Sequence, residues 1–217
     1  MSEFIYERNV APCGVAVEEI YGADEKSAKV WRLFAMQIFS ESEGDYRSIR
    51  HLENGAPMLE DIPQRISISH TPHHLVVASI PKTPDINLEE VNIRTAMGVD
   101  IEKSDRNQVL KIRDKYLNPT EQRMIADEDV EANILAWTCK EALYKSIMGT
   151  APYWKEDYQI LKMPELASDI KSATRDKYGK GLVSPAEGGV FEMNLTSWKT
   201  DGHIITIAFS SKIPIYK

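Results

Sequence analysis

The sequence predicts an α+β protein built from antiparallel strands and a small number of helices. Segments that alternate apolar and polar residues, such as Arg65–His70 and Val99–Glu102, are typical of strands with one buried face. A turn at Thr71-Pro72 separates the first segment from a second apolar run, which indicates a β-hairpin. By contrast, residues 131–148 contain neither Gly nor Pro and are rich in Ala, Leu, Glu and Lys, which favours a helix. Strand pairs with helices set apart from them are typical of the α+β class.

The composition is that of an ordinary globular protein, and it limits the classes of partner. The 217 residues are 42% hydrophobic and 27% charged, so the chain can bury a core and gives no indication of disorder. The net charge of −7 argues against wholesale nucleic-acid binding, which needs a basic surface. Any anionic ligand must therefore be met by a local basic patch.

The cysteines and the first residues favour a cytoplasmic protein. Cys13 and Cys139 are far apart and form no metal-binding or redox motif, which favours reduced thiols. The first eight residues lack the basic and apolar regions of a signal peptide, and no apolar run is long enough for a membrane span. We therefore expect a cytoplasmic protein without a membrane segment.

The N-terminal part is predicted to contain a strand, a helix and then turns. Val15–Ile20 has strand-like alternation, and from Asp24 to about Glu41 apolar residues recur at helical spacing. The basic residues on the other side of that helix are Lys26, Lys29 and Arg32, and a solvated helix face is the simplest interpretation of them. Turn signals in Asn54-Gly55-Ala56-Pro57 and a Pro-rich stretch at 81–87 indicate loops. We place a boundary between two halves near residue 95.

The first strand of the hairpin ends with Ser69 and His70, which are candidates for ligand contacts. A hydrogen-bonded structural histidine is an open alternative for His70. Zinc binding by His70, His73 and His74 is the weakest alternative, because no cysteine or suitably spaced partner accompanies them.

Two short motifs in the second half bring acidic and basic residues together. Strand periodicity places Asp100 and Glu102 on the same side of a sheet, and a spacing of four places Glu141 and Lys145 on the same face of a helix. If the acidic side of the strand faces the helix, three carboxylates and a lysine converge.

A convergence of carboxylates would favour a divalent cation and phosphoryl chemistry. Crowded carboxylates repel each other and are costly to bury, and Mg²⁺ takes oxygen ligands and typically completes its shell with a phosphate. Lys140 and Lys145 would then meet that phosphate. On spacing alone, however, an exposed helix pair and the solvated face of an edge strand are the simpler interpretations.

Gly98–Glu102 and Trp137–Lys145 resemble the paired signature of the 4′-phosphopantetheinyl transferase superfamily. That signature is (Ile/Val)-Gly-(Val/Ile)-Asp-(Ile/Val)-Glu, followed by (Trp/Phe)-(Ser/Thr/Cys)-x-Lys-Glu-(Ala/Ser)-x-x-Lys. The first block lacks only its leading aliphatic residue, where Met97 stands, and the second block matches throughout. The two motifs occur in the family's order, which makes the resemblance specific.

The resemblance implies the larger, Sfp-like type of this superfamily, a monomer of two similar half-domains. Each half would be an antiparallel sheet with a packed helix, and the active site would lie in the cleft between the halves. Residues 1–95 would form the half that contacts the nucleotide and phosphates of coenzyme A. Residues 96–217 would hold the metal site, the catalytic helix and the docking surface for a carrier protein.

The resemblance further implies Mg²⁺-dependent transfer of 4′-phosphopantetheine from coenzyme A to a serine of an apo acyl or peptidyl carrier protein. This activity, of the holo-[acyl-carrier-protein] synthase type, serves fatty acid or secondary metabolite biosynthesis. Asp100, Glu102 and Glu141 would hold the metal ion. Glu141, directly or through a metal-bound water, would also deprotonate the carrier serine, and Lys145 would stabilise charge on the transferred group.

Other residues correspond by resemblance to contacts with coenzyme A. The turn at 55–57 matches the loop that borders the adenine, although Ala56 stands where Lys or Arg is usual. The strand end at 69–70 matches a phosphate-binding segment, although Ser67 stands where Asn is common, and the basic residues of the 24–41 helix match the family's 3′-phosphate contacts only loosely. The implied contacts with coenzyme A are Gly55, Ala56, Pro57, Ser69, His70, Lys140 and Lys145.

The stretch 104–125 is locally basic and is the candidate docking surface. Its basic residues are Arg106, Lys111, Arg113, Lys115 and Arg123. Asn118-Pro119-Thr120-Glu121 predicts a capped helix start within it. Carrier proteins are acidic, so the resemblance implies docking near 104–125, while a solvated amphipathic helix is an equally open interpretation.

The last part of the chain contributes no predicted site. The helix is expected to stop at Met148-Gly149, and Val190–Leu195 and His203–Phe209 predict two antiparallel strands joined across Asp201-Gly202. Residues 152–189 indicate no function. The alternative to an enzyme is a non-catalytic module that binds coenzyme A or a carrier protein. The missing basic residue at Ala56 favours that module, and the complete set of carboxylates with Lys145 argues against it.

Overall fold

The structure is a computed structural model that describes residues 5–22, 26, 31, 35, 49–59, 64–80, 96–186 and 189–210. Apart from Lys26, Trp31 and Ala35, the helix predicted over 24–41 lies outside the described residues, and so do the predicted loop at 81–87 and the boundary at residue 95. Trp31 and Ala35 are helical and buried, as an apolar stripe would require.

An antiparallel sheet forms in the N-terminal part. Its strands are β1 (Ile5–Val10), β2 (Ala16–Tyr21), β5 (Ile66–His70) and β6 (His74–Ser79), in the order β1-β2-β6-β5. The pairing of β5 with β6 confirms the predicted hairpin, and β2 confirms the predicted strand. A separate pair, β3 (Ile49–His51) and β4 (Pro57–Leu59), encloses the predicted turn at Asn54-Gly55. Gly55 has φ of 83°, a conformation that glycine adopts without strain.

A second, larger sheet forms in the C-terminal part. Its strands are β7 (Met97–Lys103), β8 (Tyr158–Lys162), β10 (Gly179–Val183), β11 (Phe191–Thr200) and β12 (His203–Ser210). Their order in the sheet is β7-β12-β11-β10-β8. These strands pair antiparallel, and the short β9 (Leu166–Ala167) pairs parallel with β11. Asp201 and Gly202 both have positive φ in the two-residue turn between β11 and β12, which confirms the predicted hairpin.

One long helix dominates the helical part of residues 96–186. The helices in that range are α1 (Gln108–Lys111), α2 (Arg113–Tyr116), α3 (Pro119–Met124), α4 (Val130–Ser146) and α5 (Trp154–Asp157). The predicted cap of α3 is confirmed, because Asn118 and Glu121 form a capping box behind Pro119. Helix α4 ends where predicted, with Met148 and Gly149 at positive φ. None of the described helices is long and apolar enough to cross a membrane.

The second sheet is covered on both faces. One face packs on α4, and Gly98 allows the close approach, because an added Cβ there would lie 2.2 Å from the carbonyl oxygen of Ala142. The other face shares a buried apolar cluster with the first sheet, in which Val76 packs with Val99 and Ile207. The α+β class with antiparallel sheets is therefore confirmed, and the similarity of the two halves stays a prediction.

Candidate functional site

Strand β7 presents its acidic residues to helix α4. Val99 and Ile101 are buried in the cluster shared by the two sheets, so alternation turns Asp100 and Glu102 to the opposite face. Asp100 is only 4% exposed, and the Glu102 side chain is partly buried. The acidic side of the strand thus faces the helix that carries Glu141 and Lys145, which is the arrangement on which the predicted convergence depended.

Ser69, Asp100 and Lys145 form one hydrogen-bonded cluster, which we call the Ser69–Asp100–Lys145 cluster. Lys145 Nζ lies 2.7 Å from Asp100 Oδ1 and 2.9 Å from Ser69 Oγ. The Ser69 hydroxyl donates to the same Asp100 Oδ1 over 2.8 Å. Because Ser69 belongs to β5, Asp100 to β7 and Lys145 to α4, the cluster joins the first sheet to the second sheet and its helix.

The second carboxylate oxygen of Asp100 is unsatisfied. Asp100 Oδ2 is buried, and it has no hydrogen-bond partner in the part of the chain that the structure describes. Burying a charged oxygen without a partner is costly, and an additional cation or donor would relieve that cost.

Two side chains contact the Glu102 carboxylate, and neither contact was predicted from the sequence. Trp137 Nε1 donates to Glu102 Oε1 over 3.0 Å, and Arg106 Nη1 forms an ion pair with the same oxygen. The guanidinium of Arg106 also lies 6.0 Å from the centre of the Trp137 ring, within cation–π range. Arg106 follows Glu102 by four residues, and Trp137 precedes Glu141 by four residues. This spacing was the feature of the sequence that could have predicted their contacts with Glu102.

Glu102 and Glu141 both have raised pKa values. Burial raises the pKa of Glu102 to about 7, and the negative charge of Asp100 adds to the effect against the opposing cation of Arg106. Burial also raises the pKa of Glu141 to about 7, with contributions from Asp100 and Glu102 against the opposing charge of Lys145. Glu102 and Glu141 therefore lie in a poorly solvated space in which the negative charge of Asp100 disfavours their ionised forms.

The donor set at this position fits a hard divalent cation. Within the described ranges, no three His, Cys, Asp or Glu side chains stand in the geometry of a formed metal site, and Asp100 and Glu102 instead contact Lys145 and Arg106. Three mutually repelling carboxylates with an unsatisfied buried oxygen are nevertheless the chemistry that Mg²⁺ prefers. Asp100, Glu102 and Glu141 are the residues that would hold such an ion.

A pocket of about 180 Å³ lies beside this cluster and includes the predicted adenine loop. It is lined by Asn54, Gly55, Ala56, Pro57, Arg65, Ile66, Ser67, Ile68, Tyr144, Lys145 and Met148. Asn54 Nδ2 donates to the carbonyl oxygen of Met148 over 2.8 Å, which ties the loop to the end of α4. The structure therefore brings the 55–57 turn next to Lys145, in a mostly apolar pocket.

Arg65 braces the end of helix α4, a contact that sequence reasoning missed. Its guanidinium is buried and donates to the carbonyl oxygens of Lys145 and Ser146 over 3.3 and 3.4 Å. Burial lowers the pKa of Arg65 to about 10, so the side chain stays charged at neutral pH. A cation at a helix C-terminus is favourable for the helix dipole and fills the bonding capacity of the last carbonyls.

His70 is exposed at the end of β5, on a second, open cleft of about 500 Å³ that also contains Glu102, Lys103 and Arg106. Partial burial and the charge of Lys145 lower the pKa of His70, which favours the neutral form of the ring. His74 is instead fully buried beside Glu19, at 3.0 Å, and does not share the surroundings of His70.

Lys140 requires a correction, because the structure does not bring it to the cluster. Its side chain is fully buried, its ammonium lies 2.8 Å from Glu121 Oε1, and it donates to the carbonyl oxygen of Tyr158. A phosphate could reach this ammonium only if the core around α4 opened. In this structure Lys140 is therefore a buried structural cation and not an open contact for coenzyme A.

The predicted docking stretch offers fewer free cations than its sequence suggested. Arg113 is buried and pairs with Asp127 at 2.7 Å, and Arg106 is engaged by Glu102. Lys111, Lys115 and Arg123 are exposed, and Met124 beside them is 41% exposed. Docking of a carrier protein at 104–125 stays a prediction that depends on these exposed residues.

Comparison with known proteins identifies a family for the larger part of the chain. A family model described as the 4′-phosphopantetheinyl transferase superfamily matches residues 96–207, more than half of the chain. The match includes β7 and α4, with Asp100, Glu102, Glu141 and Lys145, whereas Ser69 lies outside it. No curated protein matches the chain.

Proposed function

Because the chain belongs to the 4′-phosphopantetheinyl transferase superfamily, we propose that it transfers 4′-phosphopantetheine from coenzyme A to a serine hydroxyl of an apo carrier protein. The acceptor would be an acyl or peptidyl carrier protein, and the by-product would be adenosine 3′,5′-bisphosphate. The Sfp-like, two-half monomer and the cytoplasmic location belong to the same proposal. The family match supports a transferase, and the side chains described above support the finer assignments.

The observation that carries the proposal is the Ser69–Asp100–Lys145 cluster. Three distant chain segments contribute to it, and it lies beside the pocket that includes the 55–57 turn. The pocket suits the adenine ring, because its Ile66, Ile68 and Met148 side chains are apolar and the turn offers backbone groups. Ser69, by exchanging its hydrogen bond to Asp100, and His70 would then donate to phosphate oxygens between the pocket and the cleft.

Glu141 is the proposed general base. The carboxylate of Glu141 lies in the electrostatic field of Asp100 and Lys145, and in its ionised form it can accept a proton from a hydroxyl. As the carrier serine oxygen attacks the β-phosphorus of coenzyme A, its proton passes to Glu141. The bond from that phosphorus to the oxygen bridging to the α-phosphate breaks, and adenosine 3′,5′-bisphosphate leaves with the bond's electron pair.

Lys145 is the proposed electrostatic group for the transferred phosphoryl unit. Its side chain is 26% exposed, so its ammonium can exchange part of its contact with Asp100 for a phosphate oxygen. Mg²⁺ held by Asp100, Glu102 and Glu141 would offset the charge of the pyrophosphate. The alternation of β7 and the spacing on α4 support this shared placement.

Intact-mass spectrometry of an apo carrier protein tests the proposal. After incubation with the protein, coenzyme A and Mg²⁺, we expect the carrier to gain one phosphopantetheine group, and EDTA should prevent the gain. Glu141→Gln should fold normally and lose nearly all transfer, because the amide cannot accept the proton. Near-normal transfer by Glu141→Gln would refute the assigned mechanism.

The same assay separates the proposal from a non-catalytic binding module. A module would bind coenzyme A, measured by calorimetry, but would modify no member of a panel of acyl and peptidyl carrier proteins. Failure of both binding and transfer would contradict the proposed activity.

A further inference from the structure

Arg106 lies between the open cleft and the carboxylate of Glu102. It follows β7 in a turn, and its side chain is 38% exposed, whereas the Glu102 side chain is 16% exposed. Both residues line the cleft of about 500 Å³, together with His70, Thr71 and Lys103. A ligand that enters the cleft therefore meets Arg106 beside Glu102.

The guanidinium of Arg106 has two attachments in this position. Its Nη1 pairs with Glu102 Oε1, the oxygen that also accepts the indole N–H of Trp137. Its planar group lies 6.0 Å from the centre of the Trp137 ring. An arginine that combines an ion pair with an aromatic contact is better held than an exposed ion pair alone.

Glu102 is thus already neutralised by a cation that belongs to the protein itself. Two N–H groups already use the lone pairs of Glu102 Oε1, and a divalent cation on this carboxylate would be repelled by the adjacent guanidinium, so binding of the ion is disfavoured while Arg106 stays in place. Where a binding-competent state is only a fraction of the population, the apparent dissociation constant rises in inverse proportion to that fraction.

We infer that Arg106 is a resident counter-cation of Glu102 that competes with the divalent cation and so weakens its binding. This inference rests on the proposed function, because it assumes that Glu102 is a metal ligand. Arg106 has a long, flexible and partly exposed side chain, so it can leave Glu102 and turn into the cleft. There, beside Lys103, its fork of N–H groups would face an anionic ligand.

Isothermal calorimetry with Mg²⁺ tests this competition directly, without coenzyme A and again at saturating coenzyme A. Removing the charge in Arg106→Gln should tighten Mg²⁺ binding by roughly 3- to 10-fold, because the competing state is lost. Arg106→Lys keeps the charge but loses the planar fork, so its affinity should fall between those of Arg106→Gln and the unmodified protein. Circular dichroism and the midpoint of thermal unfolding establish that each variant is folded.

Arg175→Gln is the matched control for the change in net charge. Arg175 is exposed in the 3₁₀ turn Arg175–Lys177, outside the cleft and the pocket. Its variant should bind Mg²⁺ as the unmodified protein does. Raised salt should also leave the effect of Arg106→Gln in place, because screening weakens distant charges more than a contact pair.

The outcomes separate this inference from the proposed function. If the unmodified protein binds Mg²⁺ and transfers phosphopantetheine, but Arg106→Gln binds Mg²⁺ equally or more weakly, the competition is refuted and the proposed function stands. An equal gain in Arg175→Gln would likewise refute it, because net charge would then explain the effect. If no variant binds Mg²⁺ with or without coenzyme A, the metal site itself is refuted, and the inference is refuted with it.

Discussion

Helix α4 carries two lysine–carboxylate pairs that look alike and differ in their surroundings. Lys140 Nζ lies 2.8 Å from Glu121, and Lys145 Nζ lies 2.7 Å from Asp100. The two lysines are five positions apart, which places them about 140° apart around the helix axis. The first pair is 0% and 1% exposed, whereas the Lys145 side chain is 26% exposed and that of Asp100 is 6% exposed.

The two pairs also differ in how completely they are hydrogen bonded. Glu121 accepts from the backbone N–H groups of Asn118 and Ile160, both over 2.7 Å, while Lys140 donates to Tyr158. Within the described parts of the chain, one buried oxygen of Asp100 has no hydrogen-bond partner, and Lys145 borders a pocket. The pair of Lys140 with Glu121 is buried and fully hydrogen bonded, so it has no free donor or acceptor for a ligand; we call it the closed pair. The pair of Lys145 with Asp100 is partly exposed and incompletely hydrogen bonded, so it can also contact a ligand; we call it the open pair. The comparison therefore separates a structural lysine from a functional one on the same helix.

The largest effect on stability is expected where the closed pair is broken. Lys140→Met should lower the free energy of unfolding by about 3–5 kcal/mol, because Glu121 is left as a buried charge without its cation. Urea denaturation measures the change. Lys180→Met is the matched control, since Lys180 pairs with Glu192 at the surface and should cost less than about 1 kcal/mol. Equal losses in both variants would show that the closed pair has no special role.

Breaking the open pair should instead lower the rate of catalysis. Lys145→Met should lower the transfer rate by about 10²- to 10³-fold, because an oriented cation at the transferred group is lost. The free energy of unfolding should fall much less than in Lys140→Met, because solvent reaches this pair. Kinetic assays of carrier modification and urea denaturation measure the two effects. A transfer rate within tenfold of the original would contradict the assignment of Lys145.

The pair of Lys145 with Asp100 depends on the close contact of α4 with β7. Gly98→Ala should destabilise the protein by about 1–3 kcal/mol, because the new methyl group would overlap the backbone of α4 at Ala142 and Ser146. At Gly181 the nearest atoms are the ends of the flexible Leu143 side chain, so Gly181→Ala should cost less. Urea denaturation compares the variants. A smaller loss in Gly98→Ala than in Gly181→Ala would contradict the packing of α4 on β7.

The smallest expected signal is the labelling of the native thiols, which tests whether the buried region around Lys140 opens to solvent. Cys139 precedes Lys140 and is fully buried, and burial raises its pKa to about 12. Burial also raises the pKa of Cys13 to about 11. Both thiols are buried, and their pKa values lie well above 8, so they remain protonated at pH 8 and should resist a maleimide reagent. In urea both should react. Rapid labelling of native Cys139, measured by mass spectrometry, would mean that the region around Lys140 opens readily.

The arrangement of each motif followed from local periodicity, so the sequence alone predicted it. Alternation in β7 separates Asp100 and Glu102 from Val99 and Ile101, and this depends only on the geometry of a strand. The helical spacing of Glu141 and Lys145, the capping box of α3 and the end of α4 are also properties of neighbouring residues. The resemblance to a family rested on such local patterns, and the match to residues 96–207 confirms it.

The choice of partners was decided only by the tertiary structure. Lys140 and Lys145 are both lysines near Glu141, and no local pattern reveals that one faces Glu121 while the other faces Asp100 and Ser69. Those partners lie 19 to 76 positions away along the chain. Burial and hydrogen-bond satisfaction depend on which segments pack together, and a periodic pattern does not contain that information. For the same physical reason, the contacts of Arg65 and the unsatisfied oxygen of Asp100 became visible only in the folded chain.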